Sequence, residues 1–241
     1  MRDPLVLLPG LMCDSRLFRD QIEALSADHA VMVAPVSQGE RMEEIASALL
    51  DQLPPRFALA GHSVGGMVAM EILRRAPDRV LRLALMNTSP LAETPQAAAD
   101  YEPAIIKLKS GRLDEAVQAL IPAESLAPGS RRQAMVSEQV AMAARVGEGA
   151  IIRQIRAMQR RRDYQPVLRR CRVPTLVLCG AEDALIPVKR HGFLAELIPY
   201  ARLEVIEGAG HLTPMEEPEA TTAALRTWIA QPYVLQSRTD A

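Results

Sequence analysis

One pentapeptide, Gly61-His62-Ser63-Val64-Gly65, sits between two segments that demand different backbone geometries. Before it runs Arg56-Phe57-Ala58-Leu59-Ala60, short and apolar, the pattern of a buried strand. After it, Val64, Val68 and Ile72 recur every four residues, with Met67 and Met70 nearby, until Pro77 ends the series. That spacing predicts an amphipathic helix stopped by a residue that cannot continue it. A chain turning this sharply needs small residues beside the turn, and it exposes the side chain at the apex. Here that side chain is a serine. A glycine-rich turn with an incidental serine is the rival reading, and the pentapeptide alone does not dismiss it.

The rest of the chain repeats the strand-then-helix rhythm. Apolar runs recur at Leu5–Leu8, Ala30–Ala34, Phe57–Ala60, Leu81–Met86, Thr175–Cys179 and Leu203–Ile206. They are nearly continuous rather than alternating, as expected where helices cover both faces of a parallel sheet. Met42, Ile45, Leu49, Leu50 and Leu53 keep helical spacing between them, as do Ala224, Leu225, Trp228 and Ile229 after Pro218. The alternation predicts a doubly wound α/β domain of about six strands, with functional residues beyond the strands' carboxyl ends.

One segment breaks the rhythm. From 91 to 165 no strand is convincing, and three apolar helical faces appear instead, around Leu113–Ile121, Met135–Ala143 and Ile151–Met158. The expected organisation is therefore a core built from 1–90 and 166–235, a helical cap at 91–165, and a polar, frayed tail at 236–241.

Composition narrows the function classes. A formal net charge of −1 gives no global electrostatic case for nucleic acid. The N-terminal run Leu5–Leu8 is too short for a signal peptide, and no stretch reaches membrane-spanning length. Cys13, Cys171 and Cys179 are odd in number and unpaired in spacing, so a disulfide framework is not expected and a reducing cytoplasm is. Four histidines without a Cys/His cluster suggest no metal site, and no cofactor is called for.

A serine hydroxyl is a weak nucleophile and needs a base within hydrogen-bond reach, itself oriented by a third group. Two later strand ends supply candidates: Thr175–Cys179 leads into Gly180-Ala181-Glu182-Asp183, and Leu203–Ile206 leads into Gly208-Ala209-Gly210-His211. With these three segments in order, the chain resembles an α/β-hydrolase-fold enzyme over nearly its whole length. Gly61–Gly66 resembles the family's nucleophile elbow, Gly180–Pro187 its acid loop, and Gly208–His211 with Glu217-Pro218 its histidine loop.

The resemblance implies roles residue by residue. Ser63 would attack an acyl carbonyl, His211 would move its proton, and Asp183 would orient His211; Glu182 is the rival acid. The amides of Val64 and Leu11, with Met12 as the second choice to Leu11, would form the oxyanion hole. Pro9-Gly10 departs from the His-Gly that relatives often carry, and the two antiparallel edge strands common in relatives are lacking. His62 is expected to pack under the elbow, with structural or surface roles for His29 and His191. A serine rather than an aspartate at the elbow speaks for a carboxylesterase or thioesterase and against dehalogenases and epoxide hydrolases. A small-molecule ester is the expected substrate. Acyl transfer, perhydrolysis and receptor-like ligand binding on the same fold stay open. With few aromatic residues, an acyl pocket lined by Leu, Ile and Met is expected, and Met12, Met67, Met135, Met142 and Met158 are its candidate methionines.

Charge is uneven. Eleven arginines lie between 131 and 172, opposed by Glu138, Glu148 and Asp163 alone. A solvated basic face is the ordinary expectation for such a run. The sharper one is that Arg153, Arg156 and Arg160, at helical spacing, steer an anionic partner such as an acyl carrier protein or acyl-CoA. Relatives that cleave pimeloyl-carrier methyl esters suggest it by analogy.

Overall fold

The computed structural model describes residues 3–233, so the expected frayed tail at 236–241 lies outside the described residues. Six strands, β1 (Leu5–Leu8), β2 (Val31–Val33), β3 (Phe57–His62), β4 (Val80–Met86), β5 (Thr175–Gly180) and β6 (Ala201–Ile206), form one sheet in the order β2-β1-β3-β4-β5-β6. Every pairing is parallel, from Leu5 opposite Val31 to Gly180 opposite Ile206. This is the doubly wound α/β sheet that the apolar runs predict. The boundaries differ from the expected ones by one or two residues.

Side chains alternate across the pleat, so each strand feeds two cores. Val6, Leu8, Leu59, Leu85 and Val177 pack on one face with α2 (Met42–Leu50) and α3 (Val64–Arg75). Leu5, Leu7, Ala58, Ala60 and Leu178 pack on the other with α1 (Arg19–Leu25) and the C-terminal helix. Continuous burial holds for β1, β3 and β5 but not for β2 or β6, which are half-buried because they are the sheet's edges.

Between β4 and β5 the chain is helical throughout: α4 (Pro95–Ala99), α5 (Glu102–Lys109), α6 (Leu113–Leu120), α7 (Arg132–Val146), α8 (Glu148–Gln159) and α9 (Gln165–Leu168). After β5 come α10 (Val188–Leu197), and after β6 α11 (Thr213–Glu216) and α12 (Pro218–Ile229). Trp228 of α12 is buried and donates its indole N–H to the Pro174 carbonyl at 3.3 Å. No helix among the described residues is long and apolar enough to cross a membrane.

Candidate active site

Five strands deliver the site from their carboxyl ends. The β3–α3 junction comes first. Ser63 is the only residue between the two elements and takes φ 50°, ψ −115°, a conformation costly for any residue with a Cβ. The turn closes only because its flanks lack side chains. A Cβ on Gly61 would lie 2.3 Å from the Gly65 carbonyl oxygen, and one on Gly65 would lie 2.1 Å from that of Leu8. The Ser63 N–H donates to the Met86 carbonyl at 2.8 Å, and the Thr88 hydroxyl donates to the Ser63 carbonyl at 2.7 Å. These bonds fix the apex, whose side chain sits at the positive end of a 12-residue helix.

The loops after β5 and β6 bring the other two residues in. His211 Nε2 lies 3.1 Å from Ser63 Oγ, and His211 Nδ1 lies 2.9 Å from Asp183 Oδ2. All three are nearly or fully buried. Burial alone would raise the Asp183 carboxyl. The charge of His211 and hydrogen bonds from His211, Asn87 and the Ile186 amide outweigh burial and hold it down to about 2. Glu182, the rival acid, is exposed and does not face His211.

The other histidines serve the scaffold. His62 is fully buried beneath the elbow, its Nε2 2.7 Å from the His211 carbonyl, and its ring occupies the space a Cβ on Gly10 would need. Burial, with the neighbouring His211, lowers it to about 3, so it is neutral and is no base for Ser63. Buried His191 accepts the Thr88 N–H at 3.1 Å, supporting the residue that holds the Ser63 carbonyl. His29 lies by the Asp3 carbonyl, far along the chain from these contacts.

Two residues that the sequence reading missed complete the frame. Asn87, at φ 47°, donates to Asp183 Oδ2 at 2.9 Å and to the Gly210 carbonyl at 3.2 Å, while its own Oδ1 accepts from Thr213. Glu216 accepts the amides of Gly210, Leu212 and Ala127, so it brackets His211 and pins its loop to the helical segment. Asn87 had a usable signal, being a polar residue directly after an apolar strand. Glu216 is one of two adjacent glutamates, and nothing in the sequence separates them.

Beside Ser63 the amides of Leu11 and Val64 have no hydrogen-bond partner among the described residues. A cavity of about 460 Å³ opens over Ser63, Leu11 and His211. Leu11, Met67, Leu120, Ile121 and Met158 form its apolar wall, and Glu93, Tyr101, Arg161 and Arg190 its polar side. Of the five methionines named in the acyl-pocket expectation, Met67 and Met158 reach this wall. Met12 is packed in the core beneath the loop, Met142 is buried with the opposite core, and Met135 borders a separate hollow near Arg131. Period alone cannot tell a helix's cavity face from its packing face.

The arginine-rich stretch is largely paired within the chain, with most of these side chains still well exposed. Arg160 pairs with Glu40 at 3.0 Å, Arg162 with Glu43 at 2.7 Å, Arg145 with Asp14 at 3.4 Å and Arg131 with Glu217 at 2.9 Å. Arg153 donates to the Ser37 carbonyl, Arg156 engages Glu102, and Arg161 engages Glu93. The proposed stripe therefore faces carboxylates and carbonyls of this same chain, an arrangement that charge counting along the sequence does not reveal. The three cysteines are free and buried, and burial pushes the Cys13 and Cys179 thiols up to about 12. Among the described residues no His/Cys/Asp/Glu cluster could hold a metal ion.

The arrangement matches known proteins. Residues 5–225 match the model of the alpha/beta hydrolase family. A putative carbamate hydrolase RutD from Pseudomonas savastanoi pv. phaseolicola is 31% identical over 234 residues, covering 89% of this chain and 88% of the relative. A pimeloyl-acyl-carrier-protein methyl ester esterase from Aromatoleum aromaticum is 29% identical over 76% of this chain and 78% of its own. Among solved structures, a thermophilic esterase from Thermogutta terrifontis superposes with a TM-score of 0.84 at 26% identity, covering 94% of this chain and 89% of the other. With a family model spanning nearly all of its strands and helices, the chain belongs to the alpha/beta hydrolase family.

Proposed function

We propose that the protein is a serine hydrolase that cleaves a carboxylic ester of a small molecule through an acyl-enzyme. The carrying observation is the line Ser63 Oγ, His211 Nε2, His211 Nδ1 and Asp183 Oδ2, with contacts of 3.1 and 2.9 Å, at the floor of an apolar cavity. His211 takes the Ser63 proton as Oγ attacks the acyl carbon, and the carbonyl oxygen becomes an alkoxide. The free amides of Leu11 and Val64 receive that alkoxide. His211 then returns the proton to the leaving alcohol. Water, deprotonated by the same imidazole, releases the acid and restores Ser63. Asp183, held ionised, keeps Nδ1 protonated throughout, so Nε2 is the nitrogen free to accept.

The 91–165 segment acts in this reading as the cap that closes the cavity. Its size, about 460 Å³, suits a small or medium acyl ester. A carrier-linked ester, suggested by the Aromatoleum relative's name, is less favoured because the arginines meant to receive the carrier are engaged internally. The test is fluorophosphonate labelling with hydrolysis of p-nitrophenyl esters from acetate to dodecanoate. Labelling at Ser63 and turnover, both lost in Ser63→Ala, are expected. Turnover that persists in Ser63→Ala would remove the serine mechanism. Product partition among water, alcohol and peroxide separates hydrolysis from acyl transfer and perhydrolysis.

A further inference from the structure

The loop that carries the Leu11 amide is held from outside by one side chain. The Met12 N–H donates to Gln154 Oε1 at 3.1 Å, across 142 positions of sequence. Gln154 lies on α8, within the helical segment, and is 1% exposed between Ile151, Ile155, Ala157 and Met158. A buried amide among aliphatic neighbours is costly unless its polar atoms are used. Met12 itself sits at φ 61°, a left-handed conformation disfavoured for a residue with a Cβ. Within the loop, the Cys13 N–H closes a turn onto the Gly10 carbonyl at 3.2 Å, and Cys13 Sγ lies 3.3 Å from the Leu11 carbonyl. Among the described residues, the bond to Gln154 is the sole hydrogen bond from outside the loop to the backbone of Leu11 or Met12.

We propose that Gln154 is a positioning residue for the oxyanion hole. By taking the Met12 N–H, it fixes the left-handed turn that leaves the neighbouring Leu11 amide free and facing the cavity. It also removes the Met12 amide from competition, which decides between the two donors that the sequence left open. Because α8 is itself fastened to the core through Arg153 on the Ser37 carbonyl and Arg160 on Glu40, the donor geometry is complete only when the helical segment is seated. The inference rests on the serine-hydrolase reading above.

The experiment compares wild type with Gln154→Met, which keeps the volume and loses the acceptor, and Gln154→Glu, which keeps an acceptor oxygen. Sites are counted by fluorophosphonate titration, so that kcat refers to folded enzyme alone. In Gln154→Met, kcat for p-nitrophenyl butanoate is expected to fall about 10- to 100-fold with KM within about threefold, since oxyanion contacts act in the transition state. Affinity for a trifluoromethyl ketone, whose adduct places an alkoxide in the hole, should fall in parallel, and Gln154→Glu should recover most of both. If Gln154→Met does not fold, Gln154→Ser, too short to reach Met12, replaces it. Unchanged kcat per site and ketone affinity in the Met variant, or equal losses in the Met and Glu variants, would overturn the inference while the hydrolase reading stands. Failure of wild type to label at Ser63 would overturn both.

Discussion

The Asn87 side-chain amide donates to the same Asp183 oxygen, Oδ2, that faces His211 Nδ1, each at 2.9 Å. One carboxylate oxygen is thus shared between the Asn87 amide and the imidazole of the proposed base, while Oδ1 takes the amides of Leu185 and Ile186 at 3.0 Å. Asn87→Gly tolerates the positive φ and removes the donor to Asp183, together with the side chain's bonds to the Gly210 carbonyl and Thr213. Its kcat is expected to fall about 10-fold, the worth of one charge-assisted hydrogen bond, with KM little changed. Steady-state kinetics on a p-nitrophenyl ester checks this.

Asp183→Asn preserves shape and removes the charge. The asparagine would present its amide to Nδ1 and reverse the tautomer, leaving Nε2 protonated and unable to accept the Ser63 proton. A loss of about 10⁴ in kcat, with the fold intact by circular dichroism, is the expected result. Asp183→Glu, with a longer reach, should lose less. Equal losses in the two variants would argue that Asp183 acts through packing alone.

Stability should decline as pH falls below about 6.5, before any carboxylate is reached. His62 and His191 are buried neutral, at about 3 and about 4, whereas the unfolded chain protonates them near 6.5. Below that value the unfolded state binds more protons, so each histidine lowers stability by up to about 1.4 kcal/mol per pH unit until its folded value is passed. Asp183, depressed to about 2, adds its own loss only as pH drops from about 4. His191→Gln keeps an acceptor for the Thr88 N–H and cannot protonate. Urea melts at pH 7 and pH 5 should show a smaller difference for this variant than for wild type.

The Arg161–Glu93 pair differs from the other arginine contacts because both side chains are nearly buried, at 6% and 13% exposure. Glu93 also accepts from the Tyr101 hydroxyl at 3.2 Å. Arg161→Met alone strands a carboxylate and should cost about 3–5 kcal/mol, whereas Arg161→Met/Glu93→Leu should cost much less. Arg160→Ala, at an exposed pair, should change stability by under about 1 kcal/mol. Chemical denaturation of the three variants and wild type decides.

The sheet was legible because parallel strands buried on both sides leave unbroken apolar runs, and all six were placed to within two residues. The edge strands departed from that pattern since half of each faces solvent. Ser63, Asp183 and His211 were readable because each follows a strand and sits in a short motif. Asn87 offered only its place after an apolar strand and Glu216 offered nothing, since their work is done through contacts 96 and 89 residues away. Met12, Met135 and Met142 lie away from the cavity for a related reason. Met142 and Met158 have the same chemistry and similar helical settings, and only tertiary packing sends one to the opposite core and the other to the cavity.

The carboxylates that answer the arginines of residues 131–172 belong partly to the first ninety residues of the chain, at Asp14, Glu40 and Glu43. In the proposed reading the helical segment is therefore not a freely transplantable part. A relative's segment grafted between β4 and β5 would arrive without its counter-charges and leave Glu40 and Glu43 of the host without these arginines, while Asp14 would keep only Arg16. Any chimera meant to inherit a new substrate must carry its ion partners from both sides of the seam.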